Sequence, residues 1–189
     1  MISNKDRSGY FGASDVDKII GNIKTKSFEK WWLEKLGIER NSFTNEAMYA
    51  GTYFEHRILK SLELIDFEFD KQIIIDDLKL RVNLDGNTSD TIYECKTYRF
   101  EKGFKVPIKY KRQVWVQMYA TGYKKAYIVV YGLSDKDYKN FFNDIDKERL
   151  QLIPIEYNAD FINNQFLPRL RYFAECLQKG IMPCDTKTN

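Results

Sequence analysis

The chain has 189 residues, 43% hydrophobic and 30% charged, with a formal net charge of +3. That balance suits one globular domain with a real core and argues against disorder, while so mild a positive charge permits nucleic-acid binding without requiring it. Three widely spaced cysteines and one histidine exclude a disulfide framework and a four-cysteine cluster within one chain, and they weigh against His-dependent catalysis.

In chain order, Ser14 reads as the N-cap of a short helix over residues 15–20 that stops at Gly21. Ser27 reads as the cap of a second helix over 28–36, ending at Gly37. Residues 45–63 repeat apolar side chains at helical spacing through Met48, Phe54, Ile58, Leu59 and Leu62. Residues 67–75 and 79–84 have strand patterns. Asn87, Thr88, Ser89 and Asp90 are turn formers, and 91–98 is the next strand. Pro107 opens a helix predicted to run to Thr121, with Gly122 as its C-cap. A strong strand follows over 125–131. Residues 134–147 have no clear period and are read as loop or partial helix. A last strand covers 150–155 and an amphipathic helix 160–178. No repeat, low-complexity tract or linker divides the chain, so one domain over 1–189 is expected. The element order predicts an α/β or α+β fold, a sheet with helices on both faces. No apolar run reaches the length of a membrane span, and the first residues lack a secretory h-region, so a cytoplasmic location is expected.

One stretch, VNLDGNTSDTIYECKTYRF, carries charges where strands rarely hold them. Residues two apart on a strand share a face, so Glu94 and Lys96 point together while Tyr93 and Cys95 point the other way. Asp85 lies across a hairpin from them. Two carboxylates and one ammonium can thus converge on one patch. Such a patch suits a hard divalent cation, which takes oxygen ligands, with the main-chain carbonyl of Cys95 as a further one. It equally suits a solvated sheet face, and spacing alone favours that plainer reading.

Asp85 followed by Glu94-Cys95-Lys96 resembles the D…(D/E)-x-K signature of the PD-(D/E)XK nuclease superfamily. Three further matches resemble the phage lambda exonuclease and YqaJ-like viral recombinase group. Gly51-Thr52-Tyr53-Phe54-Glu55 is similar to that group's G-x-x-x-E helix, and the resemblance makes Glu55 an additional metal ligand. Gln113-Val114-Trp115-Val116-Gln117-Met118 is similar to its glutamine helix. Gln113 and Gln117 share one face, and Trp115 stands where some members have Gln, which leaves open which glutamine is functional. Arg7 with Gly12-Ala13-Ser14-Asp15 resembles a motif whose Arg and Ser hold a terminal 5′ phosphate.

The resemblance implies a restriction-endonuclease-like core with a central mixed sheet flanked by helices. It implies a Mg²⁺-dependent deoxyribonuclease, with Mn²⁺ as a substitute, that degrades double-stranded DNA from an end, 5′ to 3′, in phage-type recombination. Asp85, Glu94 and Glu55 would bind metal, Lys96 would position the attacking water, and Gln113 or Gln117 would support it. Lys109, Lys111 and Arg112 sit in a basic segment suited to DNA phosphates. The resemblance extends to a homo-oligomer around DNA, a single-strand annealing partner, and a bacterial or phage-infected cytoplasm. The alternatives are a PD-(D/E)XK endonuclease and a non-catalytic DNA-binding protein of the same fold. His56, alone on its helix, reads as a surface or hydrogen-bonded side chain rather than a ligand.

Overall fold

The computed structural model describes residues 8–39 and 45–184. Helix α1 (Val16–Ile19) follows a 3-10 turn over Ala13–Asp15, and α2 spans Lys26–Lys35. Neither predicted serine cap forms. The 3-10 turn is closed by Asp15, whose carboxylate accepts from the Gly12 N–H at 2.7 Å, and Ser14 is exposed within it. Thr25 caps α2, because its backbone is extended and its hydroxyl accepts from the Phe28 N–H at 3.1 Å. Ser27 lies one residue inside that helix and accepts instead from Lys18.

Helix α3 (Glu46–Lys60) begins at Asn45, whose side chain accepts from the Met48 N–H. The single strand expected over 67–75 is two, β1 (Glu68–Phe69) and β2 (Gln72–Ile75), because Asp70 between them is left-handed at φ 55°. Then come β3 (Leu80–Asn83), β4 (Gly86–Asn87), β5 (Thr91–Arg99), α4 (Ile108–Thr121), β6 (Lys125–Leu133), α5 (Asp135–Lys139), β7 (Leu150–Pro154) and α6 (Leu167–Lys179). The last helix is preceded by a π-helical segment, Phe161–Phe166, where Pro168 removes a backbone donor from the helical ladder.

The main sheet has the order β1-β4-β5-β6-β7, with β5 and β6 parallel and the other neighbours antiparallel. Strands β2 and β3 pair separately. Each sheet face buries its own apolar set. On one, Ile92, Ile128 and Val130 pack against Val114 and Met118 of α4 within a core that includes Phe11, Phe28, Trp32 and Phe173. On the other, Tyr93, Cys95, Val129 and Tyr131 meet Ala50, Phe54, Ile58 and Leu59 of α3. Each fully buried large side chain contributes about 1.5–3 kcal/mol to the driving force. The expected mixed sheet with helices on both faces is therefore what forms.

The chain forks at Asp85. Up to Asn83 it pairs with β2, and from Gly86 it pairs with β5. The fork fits under Phe67 because Gly86 has no side chain: a Cβ there would come within 2.2 Å of the Phe67 ring. Phe67 is itself packed against Phe69 and Tyr93, with ring centroids 4.9 and 5.6 Å away. Gly86→Ala should therefore destabilise the fold by about 1–3 kcal/mol, the usual cost of overpacking, read as a lower midpoint in thermal or urea unfolding. An unchanged midpoint would mean that Phe67 swings aside freely and does not set the fork.

Candidate active site

The fork leaves the edge of β5 uncovered beyond Tyr93. Asp85 fills that position with its side chain: its Oδ2 accepts from the main-chain N–H of Cys95 at 2.8 Å. In an extended strand the N–H and C=O of one residue point to the same side, so the Cys95 carbonyl also faces this notch and not β6. Its thiol points away into the α3 face, where burial raises its pKa far above the usual thiol range.

Glu94, on the α4 side of β5, is 1% exposed. A carboxylate this deep is stable only if its oxygens are paired. Oε1 accepts from Gln113 at 2.6 Å and from Lys96, and Oε2 accepts from Gln117. Both glutamines thus hold Glu94, one per oxygen. Gln117 is fully buried, and its own Oε1 has no protein partner.

Lys96 lies one pleat along, half-buried, with Nζ 5.1 Å from the Tyr110 ring centroid. Burial works against its charge, but the Glu94 and Asp85 carboxylates outweigh that and raise its pKa above the ordinary lysine value. It is a permanent cation at physiological pH. Tyr110 is a site residue that motif reading passes over. Its spacing was a usable signal, because Tyr110, Gln113 and Gln117 fall at i, i+3 and i+7 on one helical face.

Glu55 reaches the same region from α3. Helix α3 crosses β5 closely at Gly51, where an added Cβ would lie 3.3 Å from Thr97 Oγ1. One turn later Glu55 arrives near the notch, which gives the G-x-x-x-E spacing a steric reason. Burial, then the charge of Glu94, raises the Glu55 pKa, with His56 and Lys96 opposing. Asp85 is pushed well above the usual carboxylate range by burial and then by Glu94 and Glu55. Three carboxylates thus share one lysine. Their excess negative charge and all-oxygen donors are of the kind a hard divalent cation takes, and Asp85, Glu94, Glu55 and the Cys95 carbonyl are the groups that would hold one.

The remaining expected residues lie around this centre. Ser14 offers an exposed hydroxyl on its 3-10 turn, and Arg7 lies outside the described residues. Lys109 is exposed near the start of α4, with Nζ 5.1 Å from the Tyr110 ring. Lys111 lines a groove with Trp115, Glu156 and Tyr157. Arg112 is engaged by Asp17 at 2.9 Å and lies over the Phe161 ring, so it ties α4 to α1.

A family model of the YqaJ-like viral recombinase domain matches residues 4–124. Among solved structures, the chain is similar to LHK-Exo in complex with dAMP, with a TM-score of 0.68 and 19% identity over 92% of this chain and 90% of that one. It is also similar to the alkaline exonuclease LHK-Exo from Laribacter hongkongensis, with a TM-score of 0.62 and 20% identity over 92% and 94%. A phage-related exonuclease from Haemophilus somnus 129PT gives a TM-score of 0.61 and 12% identity over 90% and 96%. At these identities the likeness is one of fold. No curated protein sequence matches.

The raised Asp85 and Glu55 carboxyls have a consequence for the metal-free protein. Their contribution to stability is fully present below the unfolded carboxyl pKa of about 4. It is lost as pH rises through the higher folded values. Asp85→Asn keeps an acceptor for the Cys95 N–H and removes one buried charge. Metal-free Asp85→Asn should be more stable than wild type by about 1 kcal/mol at neutral pH, with the gap closing toward about pH 4. Thermal melts across that range check it, and a less stable variant at neutral pH would refute it.

Proposed function

This chain belongs to the YqaJ-like viral recombinase domain family, and from that premise we propose that it is a divalent-metal-dependent DNA nuclease that degrades double-stranded DNA from an end. The observation that carries the reading is the joint environment of Glu94: a buried carboxylate clasped by Gln113, Gln117 and Lys96, beside Asp85 in the notch. A merely solvated sheet face has no need of such an arrangement. The fold shared with alkaline exonucleases supports the same reading.

Asp85, Glu94, Glu55 and the Cys95 carbonyl are the groups that would hold Mg²⁺, with Mn²⁺ as a substitute. A cation held there supplies Lewis-acid polarisation of a phosphodiester and lowers the pKa of water. Lys96, fixed between Glu94 and Tyr110, points a permanent charge at the same place. It can hydrogen-bond an attacking water and stabilise the negative charge that builds on phosphorus-bound oxygens. Gln113 and Gln117 would act through Glu94, fixing its carboxylate in place for a cation. Lys109 and the exposed Lys102 and Lys105 lie on the approach to α4, where they can attract DNA phosphates. Ser14, with Arg7, is the proposed anchor of a terminal 5′ phosphate, which would set 5′-to-3′ polarity and suit phage-type recombination.

The test is digestion of one plasmid, linear and covalently closed, with Mg²⁺ or EDTA. Loss of the linear form alone, dependent on Mg²⁺ and reduced about 100-fold or more by Lys96→Ala, is the expected result. Removing the 5′ phosphate, or Ser14→Ala, should slow that loss. Cutting of the closed circle would instead make the protein an endonuclease. Intact DNA binding with no cutting of either form would overturn the catalytic role of Asp85, Glu94 and Lys96.

A further inference from the structure

We infer that His56, Asp70 and Glu55 form a second cation site, next to the Asp85–Glu94 notch but of different chemistry, that selects a transition metal such as Mn²⁺ over Mg²⁺. His56 Nε2 lies 3.1 Å from Asp70 Oδ2. One ligand atom each of His56, Asp70 and Glu55 falls within 4.8 Å of the others, and all three residues are half-buried. Ligands bound at about 2.1 Å around one ion lie about 3–4 Å apart, so side-chain torsions alone can close the triad.

Two separate elements bring the ligands together. Glu55 and His56 are consecutive on α3, and Asp70 comes from the turn between β1 and β2. The Phe69 ring sits 4.9 Å from the imidazole and limits its swing. The Asp70 N–H donates to the Asp85 carbonyl at 3.5 Å, so the turn is joined by backbone to the neighbouring notch. Two carboxylates face one imidazole, and even a protonated His56 balances only one of them.

The donor sets differ in kind. The notch offers oxygen alone, which suits Mg²⁺. An imidazole with two carboxylates favours Mn²⁺, Co²⁺ or Zn²⁺, whose affinity for nitrogen exceeds that of Mg²⁺. Glu55 is within reach of both groups. An ion at His56 therefore competes for a carboxylate that the notch also uses, and filling either site changes affinity at the other by the same factor. The site itself does not depend on the nuclease reading.

The chain holds a single histidine, so an imidazole signal from untagged protein can arise only from His56. The experiment is pulsed EPR on the full chain with one equivalent of Mn²⁺ in excess Mg²⁺, observing ¹⁴N modulation. Wild type and Asp85→Asn should both show imidazole ¹⁴N coupling. His56→Gln should lose it, and Asp70→Asn should weaken Mn²⁺ binding about tenfold or more by titration. No coupling in wild type would reduce the triad to a histidine–aspartate ion pair and overturn the inference. Loss of coupling in Asp85→Asn would also overturn it, since the ion would then belong to the notch. Failure of DNA cleavage leaves this result untouched, and failure of the coupling leaves the nuclease reading standing.

Discussion

A carboxylate on the central strand of a sheet, with almost no contact with water, is the constraint around which this fold is arranged. Leaving Glu94 buried and unpaired would cost several kcal/mol. Three side chains meet that cost. Lys96 is supplied by the strand itself, because a pleat returns residue i+2 to the same face. Gln113 and Gln117 come from α4, because a helix returns residue i+4 to the same face. The two periodicities coincide only if α4 lies across β5 at the right height, and the apolar contacts of Val114 and Met118 with the sheet hold it there.

The second element is a gap rather than a contact. The chain changes partners at Asp85, from β2 before it to β5 after it. That change removes one rung of backbone pairing and opens the edge of β5 at Cys95. The Asp85 carboxylate takes the place of the missing rung and satisfies the Cys95 N–H. Gly86 permits the change by leaving room for Phe67, and Gly51 permits α3 to approach closely enough to bring Glu55 alongside. Two glycines without side chains thus position two acids that have them.

The result is a site under electrostatic tension. Asp85 and Glu55 are each made harder to ionise by burial and by the other acids around them, and one lysine cannot neutralise three carboxylates. Stability is surrendered locally, and the apolar faces on both sides of the sheet sustain it. A fold with so much aromatic packing, including Phe11, Phe28, Trp32 and Phe173 in one cluster, can carry such a local deficit. The same deficit would favour a divalent cation in the notch.

The element order, the two-faced sheet and the convergence of Asp85, Glu94 and Lys96 were legible in the sequence, because strand and helix periodicities are local properties of the chain. Helix starts were read less well. Thr25 caps where Ser27 was expected, and Asp15 closes the turn that Ser14 was expected to cap, since several cap-forming residues lie within reach and backbone geometry chooses among them. The break at Asp70 was hidden in what looked like one continuous strand, because a single left-handed residue leaves no mark on hydrophobic alternation. The hold of both glutamines on Glu94, the tyrosine beneath Lys96, and the meeting of His56 with Asp70 were decided by tertiary structure alone. Those relations join residues from separate elements, and distance between elements is fixed by how their apolar faces pack, which no local pattern encodes.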